Sequence, residues 1–372
     1  MSGKKILYMC DYPIDLIGGA EKSTVTMAKA MAANGYEVAI LAENSLNKDT
    51  AFDNIRLYQF KKSANKYIQV LQKAHNALKY IRKFKPDIVH IQFAQYSYVF
   101  LLLKKFHLVK SKIRIIYTDR HYFEAYNDRY KNMYRSYSHY FNDVICTTEN
   151  NKNCWKQAVG DNETPRLHVV QNVIEDEWFE DSADERNLIR NENGINDDTL
   201  VIGFVGRYVD WKRWDTVLDI CERLKGKNIY FAVCISNPVD SGENSELNEY
   251  INKLEKASEG RLICRMNAGK EIMQQMYAAM DIFVLTSEFE SFGRTLVEAM
   301  SKKTVVIATN SGGAPNVVGN EKNLFPVGDS QKACDIIPRN GCQRRPGPRR
   351  LFPCARRRPD GSKDNSCLEE IE

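Results

Sequence analysis

Glu290 and Glu298 stand eight residues apart in "EFESFGRTLVEAM" with Gly293 between them, and Arg207 and Lys212 stand five apart in "GRYVDWKR". A guanidinium offers a fork of donors that matches phosphate oxygens, and an ammonium adds a compact point charge. Two carboxylates facing the same anion would repel it by roughly 1 to 4 kcal/mol at contact, depending on the local dielectric. They fit better as acceptors for neutral hydroxyls on either side of a phosphate group. A nucleotide sugar has that layout, with ribose hydroxyls on one side of a diphosphate and sugar hydroxyls on the other. The plain alternative is a solvated loop acid, a helix-surface acid and a solvated basic loop.

The elements that must hold these groups follow a repeated plan. In "KKILYMCDYPIDLIGGAEKSTVTMAKAMAANGYEVAILAEN" an apolar run Ile6 to Cys10 leads through a glycine-containing loop to a helical segment. That segment stops at Asn34-Gly35 and is followed by a second apolar run, Val38 to Leu41. The plan recurs from Leu200, with a strand to Val205, the loop of Arg207 and Lys212, a helix from about Trp214 and a strand Tyr230 to Ile235. Further buried strands are expected in "DIVHIQFA", "RIIYTDRH", "DVICTTEN" and "LHVVQNV", and in "DIFVLTS" and "TVVIATN" on either side of the helix "SFGRTLVEAMSKK". Alternating strands and helices in both halves predict an α/β chain of two facing, Rossmann-like, doubly wound parallel-sheet domains. Gly293 then lies at a strand-to-helix turn, where unpaired backbone N–H groups favour a phosphate.

The expected boundaries are 1–174 for the first domain, 175–199 for a polar connector and 200–337 for the second domain. The remainder, 338–372, is rich in arginine and proline and reads as a disordered or frameshifted tail. A chain of 372 residues that is 43% apolar can build two cores. Apolar runs such as Tyr98 to Leu103 fall far short of the roughly 20 residues of a membrane-spanning helix. The start of the chain carries no leader-like segment, so a cytoplasmic location is expected, with a peripheral position on the inner face of the cell membrane. The ten cysteines form no C-x-x-C pair and read as small core residues. A net charge of +5 is mild for this length, and no nucleic-acid partner is expected.

In this order, "GGAE" at Gly18-Gly19, "GFVGRYVDWK", "EFESFGRTLVEAM" and "SGGAPNVV" resemble the retaining glycosyltransferases of family 4, over roughly residues 4 to 337. The E-x7-E pair is the most specific part. The resemblance implies the GT-B architecture and a hexosyltransferase-type enzyme that moves a sugar from a nucleoside-diphosphate donor to a hydroxyl of a glycan or lipid-linked acceptor. It implies retention at the anomeric carbon and no metal or other cofactor. Arg207 and Lys212 would bind the diphosphate, Glu298 the ribose hydroxyls and Glu290 the donor sugar. The backbone around Phe292, Gly293, Arg294, Thr295 and Leu296, with Gly18 and Gly19, would cradle sugar and phosphates. His121 in "TDRHYF" matches the first-domain histidine that faces the donor sugar, its alternative being a buried structural histidine.

Four departures from the family pattern are visible: Arg213 where glycine is usual, Thr286 where proline is common, Lys303 for a helix-ending glycine, and "QNV" at 171–173. A catalytically inactive GT-B partner subunit and a sugar-nucleotide epimerase are the rival readings. A nicotinamide-dependent oxidoreductase is disfavoured, because no G-x-G-x-x-G follows the first strand of either half. In "NKYIQVLQKAHNALKYIRKFKPD", Tyr67, Leu71, Ala74, Leu78 and Ile81 recur at helical spacing amid Lys66, Lys73, Lys79, Arg82, Lys83 and Lys85. That face suits either an anionic membrane or an ordinary helix packed on its sheet. Together with lysine- and asparagine-rich composition, it points to bacterial surface polysaccharide synthesis: capsule, exopolysaccharide or lipopolysaccharide.

Overall fold

A computed structural model describes residues 3–14, 19–44, 48–160, 164–172, 174–180, 183–237 and 245–340. The chain forms two compact units, Met1–Asn172 and Val173–Glu372.

The first unit holds an eight-stranded sheet. Its strands are β1 (Lys5–Met9), β2 (Glu37–Asn44), β3 (Thr50–Phe52), β4 (Ile55–Lys61), β5 (Ile88–Ile91), β6 (Arg114–Asp119), β7 (Asp143–Cys146) and β8 (Arg166–Val169), in the order β3-β4-β2-β1-β5-β6-β7-β8. Every pairing is parallel except β3 with β4. Helices α1 (Gly19–Ala33), α2 (Lys66–Phe84), α3 (Ala94–Lys105), α4 (Asp128–Tyr137) and α5 (Glu149–Val159) make the crossovers. Near-continuous apolar strands are what a sheet covered on both faces requires. Along β1, Leu7 and Met9 enter one buried cluster while Ile6 and Tyr8 enter another, as the two-residue period demands.

The second unit holds β9 (Leu200–Arg207), β10 (Ile229–Ser236), β11 (Leu262–Met266), β12 (Ile282–Leu285), β13 (Val305–Thr309) and β14 (Leu324–Phe325), all parallel, in the order β11-β10-β9-β12-β13-β14. Its helices are α6 (Ala183–Glu192), α7 (Trp214–Arg223), α8 (Ser245–Ala257), α9 (Lys270–Ala279), α10 (Arg294–Ser301), α11 (Ala314–Val318) and α12 (Ser330–Asn340). Strands β10 and β11 lie on one side of β9, and β12 to β14 on the other. The winding therefore reverses between β9 and β12, the place where doubly wound sheets bind ligands.

Two expectations need correction. The supposed connector 175–199 belongs to the second unit's core: Trp178, Ile189 and Ile195 are buried, and α6 packs on α9. Its arginines hid this, because Arg186 and Arg190 pair with Asp281 at 2.7 and 3.2 Å instead of facing water. Helix α12 runs through Asn340, and the rest of the expected tail, 341–372, lies outside the described residues. Lys73, counted with the exposed basic residues of α2, is 1% exposed, with its ammonium 2.9 Å from Asp11 and 2.7 Å from Glu43.

Candidate functional site

The loops after β9 and β12 are stitched together. After β9, Asp210–Lys212 form a 3-10 turn, and the Trp214 indole donates to the Arg207 carbonyl at 2.7 Å. The Thr286 hydroxyl, just past β12, donates to the Lys212 carbonyl at 2.8 Å, and the Glu288 N–H donates to the Trp211 carbonyl at 2.7 Å. Across this seam the Lys212 ammonium makes a short ion pair with the Glu290 carboxylate, which also accepts from the Ser287 hydroxyl at 3.0 Å. Both partners are largely shielded, with side chains 15% and 17% exposed. Arg207 is exposed, and its guanidinium makes no hydrogen bond or ion pair among the described residues.

A third loop, after β13, supports Glu290 from behind. The Gly313 N–H donates to the Glu290 carbonyl at 2.7 Å, and the Thr309 hydroxyl to the Ser287 carbonyl at 2.6 Å. Gly312 has φ +58°, and a Cβ there would sit 2.2 Å from the Glu290 oxygen, so "SGGAP" has glycine because backbone approaches backbone.

Gly293, at φ +81°, turns the chain into α10 without any side-chain cap, which leaves the helix's first N–H groups to other partners. Phe292 and Leu296 are buried, so only their backbone can face a ligand. Glu298 is no surface acid: it is 8% exposed, accepting from Arg294 Nε at 2.8 Å and the Tyr277 hydroxyl at 3.2 Å. Arg294 reaches on to Glu175 at 2.7 Å, which also takes the Trp178 indole N–H at 3.0 Å. Burial opposes ionisation of Glu175, but Arg294 beside it holds the carboxyl below its ordinary value. Burial, with Glu298 adjacent, pushes the Tyr277 phenol far up, so it stays a donor. Arg294 Nη1 and the Thr295 hydroxyl are buried without a hydrogen-bond partner.

In the first unit, His121 follows β6 and is half-buried, with its ring edge-on to Tyr126 at 4.8 Å. Its N–H donates to Asp119 at 3.0 Å and its carbonyl accepts from Asn151 at 3.1 Å. Asp119 is fully buried and also accepts from the Tyr126 hydroxyl and the Trp155 indole, each at 2.7 Å.

Two family models match the chain, "Glycosyl transferases group 1" over residues 185–338 and "Glycosyltransferase Family 4" over residues 17–178. The chain belongs to the group 1, family 4 glycosyltransferases. Its fold is GT-B. The chain resembles the D-inositol 3-phosphate glycosyltransferase of Mycobacteroides abscessus, 28% identical over 46% of this chain and 38% of the relative. It therefore spans well under half the length of that relative. Sucrose-phosphate synthase from Thermosynechococcus elongatus has a similar fold, with TM-score 0.77 and 16% identity, covering 90% of this chain and 89% of the other. So does Anabaena HepE, solved with UDP-glucose, with TM-score 0.70 and 20% identity, covering 90% and 89%.

Of the residues expected to serve this family-4 chain, Lys212 and Glu290 meet across the β9/β12 seam, Gly293, Arg294 and Thr295 follow at the start of α10, and Arg294 pairs with Glu298 one turn on. His121 stands in the other unit, Gly19 opens α1, and Gly18 lies outside the described residues. Sequence reasoning missed Glu175, Tyr277, Ser287 and the positioning role of Thr286. Nothing local marks the first three. Thr286 was visible only as a departure from the family-4 pattern, and its hydroxyl turns out to hold the Lys212 loop. Arg213 and Lys303, where the family has glycine, both take the left-handed conformation, at φ 52° and 64°.

Proposed function

We propose that the chain is a retaining, metal-independent glycosyltransferase that moves a sugar from a nucleoside-diphosphate donor to a hydroxyl of a glycan or lipid-linked acceptor. The observation that carries this reading is the gathering of Lys212, Glu290 and the open α10 N-terminus at the sheet's reversal point. Arg207 and Lys212 stabilise the diphosphate as the bond from the anomeric carbon to its oxygen breaks. The acceptor oxygen bonds that carbon on the same face, and its proton passes to the departing phosphate. Glu290 accepts from the donor sugar, Glu298 from the ribose, and His121 is the first unit's group for the sugar. The UDP-glucose bound to Anabaena HepE, a protein of similar fold, supports a nucleotide-sugar donor.

The acceptor belongs, in this reading, to bacterial surface polysaccharide assembly at an anionic membrane. On α2, Tyr67 and Leu71 are 86% and 70% exposed beside exposed Ile68, and exposed His75, Lys79 and Arg82 continue the same face. Apolar residues followed by cations suit an anionic lipid surface. Among the described residues no helix is long and apolar enough to cross a membrane. Co-sedimentation with anionic and neutral vesicles tests the surface: equal binding to both removes the membrane from the proposal.

The chemistry is tested by incubating the protein with nucleotide sugars and candidate acceptors, with and without EDTA, and reading released nucleoside diphosphate and product configuration. Acceptor-dependent release with retention, unaffected by EDTA, is expected. Inverted product, loss of activity in EDTA, or no release from any donor would each overturn the corresponding part.

A further inference from the structure

We propose that Arg294 is a positioning residue: it fixes the Glu298 carboxylate in the orientation that accepts the adjacent hydroxyls of the donor ribose, with Glu175 as its second anchor. The inference rests on the donor reading above. Its starting point is a pairing that helix energetics alone does not explain. Arg294 is the first residue of α10, and Glu298 lies four residues on. A cation there faces the positive end of the helix dipole, and an acid placed before a base is the favourable order for such a pair. Burial makes the arrangement worse, because the Arg294 side chain is 10% exposed and its Nη1 has no hydrogen-bond partner. A pairing set in the less favourable order, with one buried donor left unpaired, is the kind of local conflict found at positions shaped by function.

The geometry gives that function. A guanidinium is planar, so fixing it at two points removes its freedom to rotate. Arg294 is fixed by Nε on Glu298 at 2.8 Å and by Nη2 on Glu175 at 2.7 Å. Glu175 is itself held by the Trp178 indole at 3.0 Å. The Tyr277 hydroxyl approaches the other oxygen of Glu298 at 3.2 Å. Glu298 is thus gripped at both oxygens, and a pair of hydroxyls on neighbouring carbons is met properly only when both oxygens are presented together. A looser carboxylate would still accept one hydroxyl but would not measure two.

The readout is discrimination between ribose and deoxyribose, which a merely structural role would not move. Titration calorimetry with UDP, GDP and ADP and their 2′-deoxy counterparts gives the ratio of affinities for wild type, Arg294→Lys, Arg294→Met and Glu175→Gln. Wild type is expected to favour the ribose form of its best nucleotide by roughly 10- to 100-fold, the range of a hydrogen bond to a charged group. Arg294→Met should bring that ratio close to one. Arg294→Lys, which keeps the charge without the fork, and Glu175→Gln, which loosens the anchor, should give intermediate ratios. Should Arg294→Met fail to fold, Arg294→Lys carries the test. A wild-type ratio in the folded Arg294 variants overturns the positioning role, and a ratio near one in wild type removes the ribose contact it serves. If wild type binds none of the diphosphates, the donor reading itself fails.

Discussion

Replacing Glu290 by glutamine should tighten binding of a nucleoside diphosphate while slowing sugar transfer. The Lys212 ammonium is engaged by the Glu290 carboxylate, and both are mostly shielded from water. A diphosphate that recruits Lys212 must compete with that carboxylate and is repelled by it. At a separation of about 6 Å the repulsion per unit charge is ~0.7 kcal/mol in a water-like dielectric and ~2.8 kcal/mol at an effective dielectric of 20. A value between these limits, about 1.4 kcal/mol, is a tenfold gain in affinity for Glu290→Gln. Transfer moves the other way. Glu290 is assigned to the donor sugar, and losing a charge-assisted hydrogen bond lowers kcat/KM by roughly 10- to 100-fold.

Calorimetry with UDP, GDP and ADP reads the first quantity, and turnover with the matching nucleotide sugar reads the second. Raising the salt concentration should erode the affinity gain, since a partly exposed charge is screened. The ligand-free variant should also melt lower, because Lys212 loses its charged partner, and should recover more on adding the diphosphate. Weaker or unchanged diphosphate binding in Glu290→Gln would refute the argument, for it would mean that Glu290 does not oppose the anion and that Lys212 is not the group the diphosphate recruits.

Lys212→Ala and Glu298→Ala should each cut kcat/KM by about 100-fold, and near-wild-type turnover in both would overturn the site. Lys303→Gly should raise stability by about 1 kcal/mol, because Lys303 occupies the left-handed position after α10 at φ 64°, where glycine carries no penalty; urea midpoints will show it. Gly312→Ala should do the opposite and also lower activity, since its Cβ would meet the Glu290 carbonyl at 2.2 Å. In the first unit, burial works against ionisation of Asp143, but His168, Arg114 and Arg166 override it and hold the carboxyl down to about 2. That value is below the roughly 3.9 of an unfolded aspartate, so Asp143 adds stability above about pH 4 that is lost as pH falls toward 2. Urea midpoints against pH should show the loss in wild type and a flatter profile in Asp143→Asn.

What the sequence disclosed and what it hid divide along one physical line. Elements built from apolar runs were legible: β1, β2, β9, β10, β12 and β13 stand where their buried residues put them, within a residue or three at each end. So were groups whose backbone demands are local, such as the Gly293 turn and the stop of α1 at Asn34-Gly35. Charged residues were misread wherever a distant partner neutralised them. Arg186 and Arg190 read as part of a polar connector because Asp281 lies 95 and 91 positions away, and Lys73 read as part of a basic face because its partners lie far back in the chain, Asp11 62 positions before it. Glu175 was assigned to a connector because its partner, Arg294, lies 119 positions on. Burial of a charge is decided by its counter-charge, and a linear reading has no access to that pairing. The same reasoning explains the family departures. Lys303 and Arg213 look like lost glycines in sequence, but the chain keeps the left-handed turn that glycine would have made easy. At Lys303 the turn closes α10 with hydrogen bonds from Lys303 to Met300 and from Thr304 to Ala299. Helix closure, rather than residue identity, is therefore what that position conserves physically, and a substitution that restores glycine should stabilise the fold without touching the site.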